Sequence, residues 1–597
     1  MGIWILLPIF LPVIVGILLL LPPGAEGAAK KNQDHRGDSD IQDRQNDSSL
    51  QGHSADGSQE SWRTRFARLI GTLDESPESL SRLHKLTAAA LIVSALLALA
   101  AAWSGDRSFT WFELMEGIPV YFQIDDVGRL FVTVISLVWV LVCFYSFVYM
   151  GHEGKERRFF GFYLIVYGVL VALSFSGNLV TMYLCYELMT LTSMPMVLHS
   201  GSHESIMAAL KYLFYSMCGA YLGLFAIFFL YQYCDSITFT AGGTLNLALA
   251  EGHTGILLAA VMAALIGFGA KAGMFPLHAW LPTAHPVAPA PASAVLSGII
   301  AKAGVLAIIR VVFYIVGADF IRGTWVQTAW MTLALLTVFM GSMLAFREKV
   351  FKKRLAYSTV SQVSYILFGL SALSPTAMEG ALLHVVFHAI IKSVLFLTAG
   401  IFIFRGNLSR VDQLEGIGKK MPKTLWCFTF ASLALVGIPP MSGFISKWYL
   451  AQGALEADIG VFGWVGPAVL LVSALLTAGY LLSVVTNGFF PKKKEAGPHL
   501  TVRAAAAEGA ADMQGAGAAD STAAQKAGKA GMAEAVNEQS VSQTTAAAQE
   551  TDPLDGITEA PAGMLIPLAI LAALTVLLGI FPNPLIRFVS KIAAAVL

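Results

Sequence analysis

Two lysines lie inside long apolar segments of the sequence, far from the polar ends of those segments. Lys271 occurs in ALIGFGAKAGMFPLHAWLPTAHP, and Lys302 occurs in LSGIIAKAGVLAIIR. A cation at the centre of a bilayer costs roughly 3 kcal/mol on insertion scales and about 10 kcal/mol or more in simulations of an isolated helix. A chain that keeps such charges is expected to use them, so we predict that these amines hold and pass a proton or a small cation.

One acidic residue, Glu187, lies in a third apolar segment, NLVTMYLCYELMTLTSMPM. A carboxylate at that depth must be protonated or paired. Burial disfavours the charged form of a lysine and a nearby carboxylate favours it, so movement of Glu187 relative to Lys271 would change the affinity of the amine for its proton. The alternatives are a neutral glutamate that bonds two helices together, or a fixed ion pair that locks them.

Three further polar residues, His384, His388 and Lys392, fall in the apolar segment MEGALLHVVFHAIIKSVLFLTAG. A spacing of four places them on one stripe of a helix. Histidine titrates near neutral pH and can accept a proton at one ring nitrogen and donate from the other, so the stripe predicts a relay. Packing histidines and a metal pair are the alternatives, although the glutamate of a zinc H-E-x-x-H motif is absent.

Lys447 follows a proline pair in GIPPMSGFISKWYL, and its setting resembles that of Lys271 beside Pro276. A lysine beside a break in a long apolar segment, occurring twice, suggests internal duplication, and transporters often place their sites at such broken helices. A position near the membrane interface is the alternative for Lys447. Arg310 is close to the end of its segment, and we expect it to reach the interface.

The composition indicates a membrane protein. The 597 residues are 56% hydrophobic and 13% charged, against about 25% charged in soluble domains, and the mean hydropathy is +0.66. Lysine and arginine together number 39, as do aspartate and glutamate, so nothing indicates a nucleic-acid partner. The five cysteines show no C-x-x-C spacing and we see no haem or flavin motif, so we predict no cofactor and no metal site. Any electron transfer would then occur in another subunit.

Fourteen apolar segments are candidate membrane helices, because a spanning backbone must satisfy its own hydrogen bonds. They are 2–22, 86–103, 129–150, 159–176, 179–198, 210–232, 254–275, 292–316, 327–346, 355–373, 378–403, 424–455, 463–490 and 563–589. We expect breaks near Pro276 and at Gly437–Pro440. Residues 1–22 are interpreted as a retained helix rather than a signal peptide, because a basic n-region is lacking.

Two segments are not predicted to span the membrane. Residues 23–85 are polar, and residues 491–562 are low in complexity, so both are predicted to be largely disordered insertions. Basic residues concentrate in alternate loops, at 155–158, 347–354, 419–423 and 492–494. The positive-inside rule therefore predicts a multi-pass cell-membrane protein with both insertions in the cytoplasm and both termini outside.

Five motifs together resemble the antiporter-like membrane subunits shared by respiratory complex I, membrane-bound energy-converting hydrogenases and Mrp-type cation/proton antiporters. They are MYLCYELMTL, GFGAKAGMFPLHAWLPTAHPVAPAPASAVLSGIIAKAGVLAIIR, LAYSTVSQVSYI, HVVFHAIIKSVLFLTAG and GIPPMSGFISKW. The resemblance covers roughly residues 129–490. It implies an all-α polytopic fold with about fourteen helices, including two inverted five-helix repeats with broken helices. The corresponding division of the chain is a first helix at 1–22, helices at 86–158, repeats at 159–316 and 327–490, and a last helix at 563–597.

The resemblance also implies roles for seven residues. Glu187 corresponds to the acidic residue of the fifth helix, Lys271 to the lysine of the broken seventh helix, and Lys302 to the lysine of the eighth. His384, His388 and Lys392 correspond to the polar stripe of the eleventh helix, and Lys447 to the charged residue of the broken twelfth. A lysine in GFISKW looks most like the Mrp D-type or hydrogenase-type subunit, whereas the two insertions depart from the family pattern.

The implied function is a proton-translocating subunit, without redox chemistry of its own, in a multisubunit complex of the quinone-oxidoreductase or hydrogenase type. The alternative is a subunit of a Mrp-type sodium (or potassium)/proton antiporter driven by ion gradients alone. Expected partners are other membrane subunits, peripheral redox subunits and protons, with sodium left open. No catalytic residue is assigned to this chain.

Overall fold

The computed structural model describes residues 2–21, 77–105, 107–491 and 554–597. These residues are mostly helical. The main helices are α1 (Leu7–Leu20), α2 (Pro77–Trp103), α3 (Asp126–Glu153), α4 (Glu156–Ser174), α5 (Leu179–Val197), α6 (His203–Tyr233), α7 (Thr254–Ala272), α8 (Leu281–Val287), α9 (Ala290–Val316), α10 (Trp325–Arg347), α11 (Phe351–Ser371), α12 (Pro375–Gly406), α13 (Pro422–Val436), α14 (Ser442–Glu456), α15 (Phe462–Phe489), α16 (Ala562–Ile580) and α17 (Asn583–Val596). Most of the two predicted insertions, at 22–76 and 492–553, lies outside the described residues.

Ten of the described helices are long and apolar enough to cross a membrane, and two shorter apolar helices, α1 and α13, accompany them. The chain is therefore a multi-span membrane protein, as the composition predicts. Helix α9 carries two π-helical stretches, Leu296–Ile300 and Arg310–Val316. Short helical turns at 247–250, 318–321, 411–414 and 417–420 lie in the connections.

Contacts between helix ends define two faces of the molecule. At the face that we call the hairpin side, Arg129 at the start of α3 donates to the carbonyl of Ala102 near the end of α2. At the opposite face, the basic side, Lys155 in the loop after α3 donates to the carbonyl of Ser200, beyond the end of α5. Helices α3, α4 and α5 therefore run back and forth between these two faces.

Both predicted breaks are present. Helix α7 ends at Ala272, followed by Gly273 in a left-handed conformation (φ 81°), and the chain resumes helical structure at Leu281. Helix α13 ends at Val436 and α14 begins at Ser442. Proline lacks the backbone N–H and clashes with the preceding turn, which explains why Pro276 and the proline pair end these helices.

Helices α9 and α12 form the centre of the molecule. In the most apolar 18-residue stretch of each helix, all residues of α9 and 94% of those of α12 are buried. In the corresponding stretches of α15 and α16, only 33% of the residues are buried. The charges on α9 and α12 are thus surrounded by protein rather than by lipid, which is where membrane proteins keep ionisable groups that function.

Two helix boundaries were predicted wrongly. Helix α2 begins at Pro77, within the segment expected to be a disordered insertion, because Pro77 and Glu78 suit the first turn of a helix and Leu83 is buried. The last apolar segment is not one helix to its end. It breaks after Ile580, since Pro582 cannot continue α16, and α17 follows as a separate helix.

A β-hairpin was missed altogether, so the predicted all-α fold is not complete. Strands β1 (Arg107–Met115) and β2 (Ile118–Ile124) pair antiparallel, with Phe109 opposite Phe122. The sequence signal was available in two short runs rich in aromatic and β-branched residues on either side of Glu116-Gly117, a pattern typical of a hairpin. The hairpin leads directly into α3.

Helices α7 and α9 touch backbone to backbone at Gly304, which leads to a first prediction. A Cβ atom there would lie 2.4 Å from the carbonyl oxygen of Phe268 and 3.1 Å from the Cβ of Lys271. Gly304→Ala is therefore expected to lower the free energy of unfolding by about 1–3 kcal/mol through overpacking, measurable as a fall in Tm of the detergent-solubilised protein. Gly255→Ala, where no atom lies within 4 Å, is the control. Equal Tm values for the two variants would contradict the close approach.

Candidate functional site

Lys271 lies at the end of α7 and is fully buried. Its ammonium donates to the hydroxyls of Thr190 on α5 (2.9 Å), Tyr212 on α6 (3.1 Å) and Ser216 on α6 (2.9 Å). An ammonium has three N–H donors, so the three hydroxyls satisfy it completely. The Nζ atom also lies 4.5 Å from the centre of the Tyr212 ring, within the range of a cation–π contact.

The hydroxyl set around Lys271 was not predicted from the sequence. Tyr212 and Ser216 are spaced by four residues on α6 and face α7, and this spacing was the available signal. Tyr212 is bonded in turn to Ser193, with 2.7 Å between their hydroxyl oxygens. The lysine is thus held by neutral oxygens that are themselves part of a hydrogen-bonded chain.

Glu187 lies on α5, three residues before Thr190, but it does not contact Lys271. Neither of its carboxylate oxygens has a hydrogen-bond partner within the described residues, although both atoms are buried and the residue as a whole is half-buried. No ion pair joins Glu187 to Lys271 in that part of the chain. The contact expected between them is therefore absent in this conformation, and the hydroxyl of Thr190 takes its place on the amine.

Lys302 is buried on α9, and its ammonium donates to the carbonyl of Ser297 at 2.5 Å. Ser297 lies in the first π-helical stretch, where the altered hydrogen-bond register leaves carbonyl groups available for other donors. A cavity of about 20 Å³ adjoins Lys302 and reaches Ser174 at the end of α4. This volume suffices for about one water molecule, which requires roughly 10–15 Å³.

His384, His388 and Lys392 are all buried and lie one helical turn apart on α12, as predicted. The two imidazole rings stack with centroids 5.6 Å apart. His384 bonds through Nδ1 to the hydroxyl of Ser446 on α14 at 2.9 Å. Neither ring nitrogen of His388 has a partner among the residues that the structure describes. A buried polar atom without a partner is costly unless water or a change of state supplies one.

Helix α11 connects Lys302 to Lys392. The hydroxyl of Ser297 lies 2.7 Å from that of Thr359, which donates to the carbonyl of Leu355 at 3.0 Å. Lys392 donates to the same carbonyl at 2.9 Å and also to the hydroxyl of Ser358. The two lysines are therefore linked through a short series of hydrogen-bonded groups, although the carbonyls in it cannot carry a proton and would need water to bridge them.

Lys447 is half-buried on α14 and caps the C-terminal end of α13, which precedes the break. Its ammonium donates to the carbonyls of Leu435 (2.6 Å) and Val436 (3.0 Å), which are the free ends of α13. The Nζ atom lies 5.1 Å from the centre of the Tyr365 ring, and that ring also stacks on His384. The lysine thus adjoins the end of the α12 stripe, at a helix break.

Arg310 does not extend to the interface, contrary to expectation. It is 1% exposed and forms a bidentate ion pair with Asp125, which precedes α3. The partner lies far away in sequence, just after the missed hairpin, so the pair could not be foreseen. Two other buried polar groups lie outside the set of predicted site residues, namely Lys352, which donates to the carbonyl of Ala288, and His285, which stacks on Phe396.

Nothing in the described part of the chain groups three or more histidine, cysteine or acidic side chains so that they could hold a metal ion. His384 and His388 therefore lack a third ligand of that kind there. The cysteines are all unpaired.

The chain belongs to the NADH:quinone oxidoreductase/Mrp antiporter family, whose transmembrane region matches residues 176–477. A second family, described as the N-terminus of chain 5 of NADH-ubiquinone oxidoreductase (complex I), matches residues 111–160. The second match begins in the hairpin and covers α3. The resemblance stated from the motifs is thereby confirmed.

Relatives come from three kinds of complex. The N subunit of the NADH-quinone oxidoreductase of Desulforudis audaxviator is 33% identical over 67% of this chain and 80% of its own length. Hydrogenase-4 component B of Escherichia coli is 34% identical over 55% of this chain and 50% of its own. The D-type protein of the Na⁺/H⁺ antiporter of Bacillus subtilis is 28% identical over 68% of this chain and 81% of its own.

Solved structures share the fold. A chain of the archaeal membrane-bound sulfane sulfur reductase superposes with a TM-score of 0.68 at 20% identity, covering 89% of this chain and 95% of that one. A chain of the Mrp complex from Dietzia sp. superposes with a TM-score of 0.66 at 22% identity, covering 89% and 93%. Both structures are multisubunit membrane complexes.

Proposed function

We propose that this chain is the proton-translocating membrane subunit of a multisubunit, redox-driven complex. The observation that carries the proposal is that the four lysines Lys271, Lys302, Lys392 and Lys447, three buried and the last half-buried, are held by hydroxyl and carbonyl oxygens and by no carboxylate of the described residues. A buried amine paired with a carboxylate is fixed in its charged form, whereas one held by neutral oxygens can lose its proton.

The hydroxyl partners of Lys271 suit both of its protonation states. A hydroxyl accepts a hydrogen bond from the ammonium and can rotate to donate one to the neutral amine. Thr190, Tyr212 and Ser216 can therefore stay bonded while the proton leaves.

Glu187 is the proposed switch. Its buried oxygens lack partners among the described residues, and it shares helix α5 with Thr190, which already holds the amine. Closure of the carboxylate onto Lys271 would favour the protonated amine, and withdrawal would favour release. Moving one charge against 100 mV requires about 2.3 kcal/mol, which is within the range of a charge pair changing separation in a partly dry site.

The proposed route begins at Lys271 and Lys302 and crosses the centre through the α12 stripe. It then reaches Lys447, where the broken helix α13–α14 leads out. Water would bridge the carbonyl gaps between Lys302 and Lys392. The route also accounts for the unpartnered nitrogens of His388, since a relay group must be free to take a proton.

The proposal includes the finer architecture. Counting α7 with α8 and α13 with α14 as single broken helices, and leaving out α17 as a helix that does not cross, we infer fourteen crossings, with inverted five-helix repeats at 159–316 and 327–490. The basic side would face the cytoplasm under the positive-inside rule, which places both insertions there and both termini outside. The partners would be other membrane subunits, together with peripheral subunits that carry the redox centres.

The second candidate is a component of a Mrp-type cation/proton antiporter. Its support is the Bacillus subtilis relative, which is named as part of a Na⁺/H⁺ antiporter, and the superposition on the Mrp complex. The buried site suits it equally, because the same lysines could exchange protons against a sodium gradient. Transport by the purified complex under an imposed sodium gradient, without any redox substrate, would favour this candidate.

Glu187→Gln tests the proposed switch. We expect proton translocation by the intact complex in proteoliposomes to fall about tenfold or more, because glutamine cannot alternate between a charged and a neutral state near Lys271. The fold should be unaffected, since no bond to the carboxylate from the described residues is lost. Glu204→Gln, at an exposed position on α6, is the matched control. Undiminished pumping by Glu187→Gln would refute the switch.

A further inference from the structure

We propose that Arg310, held in place by Asp125, is an electrostatic seal that prevents a proton on Lys302 from leaving directly to the hairpin side. The proposal rests on the proposed function, because it requires Lys302 to carry protons. Arg310 is a buried charge that takes no part in the proposed proton route.

A small cavity extends from Lys302 toward the hairpin side. The water-sized cavity beside Lys302 reaches Ser174, the last residue of α4. The backbone of Ser174 packs against Gly128 in the first turn of α3, where an added Cβ would lie 2.6 Å from the Ser174 carbonyl oxygen. The amide of Gly128 donates to Asp125 Oδ1 at 2.9 Å. One turn of α3 therefore separates the cavity from the Asp125–Arg310 pair.

The ion pair points its positive end inward. The side chain of Arg310 is 1% exposed and that of Asp125 is 23% exposed, so the carboxylate lies toward the surface. Arg310 Nη2 donates to Asp125 Oδ1 at 2.8 Å, and Nη1 donates to Oδ2. The guanidinium carbon lies 4.9 Å from the ring centre of Phe239 and 4.8 Å from that of Tyr314. These contacts fix the cation on the inner side of the partly exposed carboxylate.

A guanidinium held in a fixed position can block the passage of a proton but cannot carry one. Arginine does not give up its proton in proteins, so it cannot pass one on. Its charge repels a cation or an excess proton that approaches it, which is how an arginine excludes protons from water-conducting pores. Lys302 and Arg310 are eight residues apart on one helix, a rise of about 12 Å. A proton that crossed this distance would bypass α12 and Lys447.

The test measures passive proton permeability of proteoliposomes that contain the intact complex, with no driving reaction and an imposed potential, followed by an internal pH dye. Arg310→Gln is compared with the double variant Arg310→Gln/Asp125→Asn, which leaves no unpaired carboxylate and so protects the fold. Both are expected to leak about tenfold faster than the unmodified complex, because a unit charge near the path is removed. Adding Lys302→Met to the double variant should return the passive proton permeability to that of the unmodified complex, since the leak passes through that amine.

Asp126→Asn is the matched control, because Asp126 forms its own ion pairs with Arg129 and Lys591 at the same end of α3, and it is expected not to leak. Arg310 variants as tight as the unmodified complex would overturn the proposal, as would a leak that persists after Lys302→Met, which would indicate damaged packing. Loss of driven pumping in Lys302→Met, measured in the otherwise unmodified complex, tests the proposed function separately. If pumping depends on Lys302 but the Arg310 variants do not leak, the proposed seal is overturned while the proposed function stands.

Discussion

Lys271→Met is expected to reduce proton translocation by the reconstituted complex about 100-fold or more. Methionine keeps the length of the side chain but cannot bind a proton, so the charge would have to cross the apolar gap unaided. The cost of a charge in the bilayer centre, roughly 3 kcal/mol or more, corresponds to a factor of that size. The measurement is the initial rate of acidification or alkalinisation in proteoliposomes.

The fold of the Lys271→Met variant should largely survive. The hydroxyl of Tyr212 keeps its partner Ser193 after the amine is removed, which limits the cost of the orphaned hydroxyls. Lys419→Met, at an exposed position on the basic side, is the control for loss of a positive charge and should pump normally. A Lys271→Met complex that retains its Tm and pumps at the unmodified rate would exclude Lys271 from the route.

His388→Leu is expected to separate stability from transport. Both imidazole nitrogens of His388 are buried without a partner among the described residues, so replacing the ring with a leucine of similar size should leave the Tm unchanged or raise it. Transport should fall about 100-fold, which is a typical loss when a positioned proton-transfer group is removed. The two readouts are a melting curve in detergent and the proton flux in proteoliposomes.

His253→Leu, at an exposed position just before α7, is the control for loss of a histidine. It should change neither readout. A destabilised His388→Leu variant would indicate that the imidazole holds the packing together, and normal transport with an unchanged Tm would remove His388 from the relay.

Much of the site could be predicted because its signals are local. Charges such as Lys302 in the middle of apolar segments mark candidate functional positions, because their burial is costly. The spacing of four in the α12 stripe fixes one helix face, and prolines mark both breaks. These inferences need only the periodicity of a helix and the chemistry of individual side chains.

The missed features depend on contacts between distant parts of the chain. Asp125 reaches Arg310 across 185 positions of sequence, and nothing in either segment identifies the other as its partner. The hydroxyls that hold Lys271 belong to two other helices, and serine, threonine and tyrosine are too common in membrane helices to stand out. The expected Glu187–Lys271 contact was inferred from charge alone, whereas the packing lets Thr190 reach the amine instead.

The central claim is that buried amines release and regain protons during the working cycle, and Lys271→Arg tests it most directly. Arginine keeps the positive charge and the hydrogen-bond donors but does not deprotonate. The measurement is the number of protons translocated per turnover of the driving reaction in proteoliposomes. We predict a ratio near zero while the driving reaction continues, and a ratio equal to that of the unmodified complex would contradict the account.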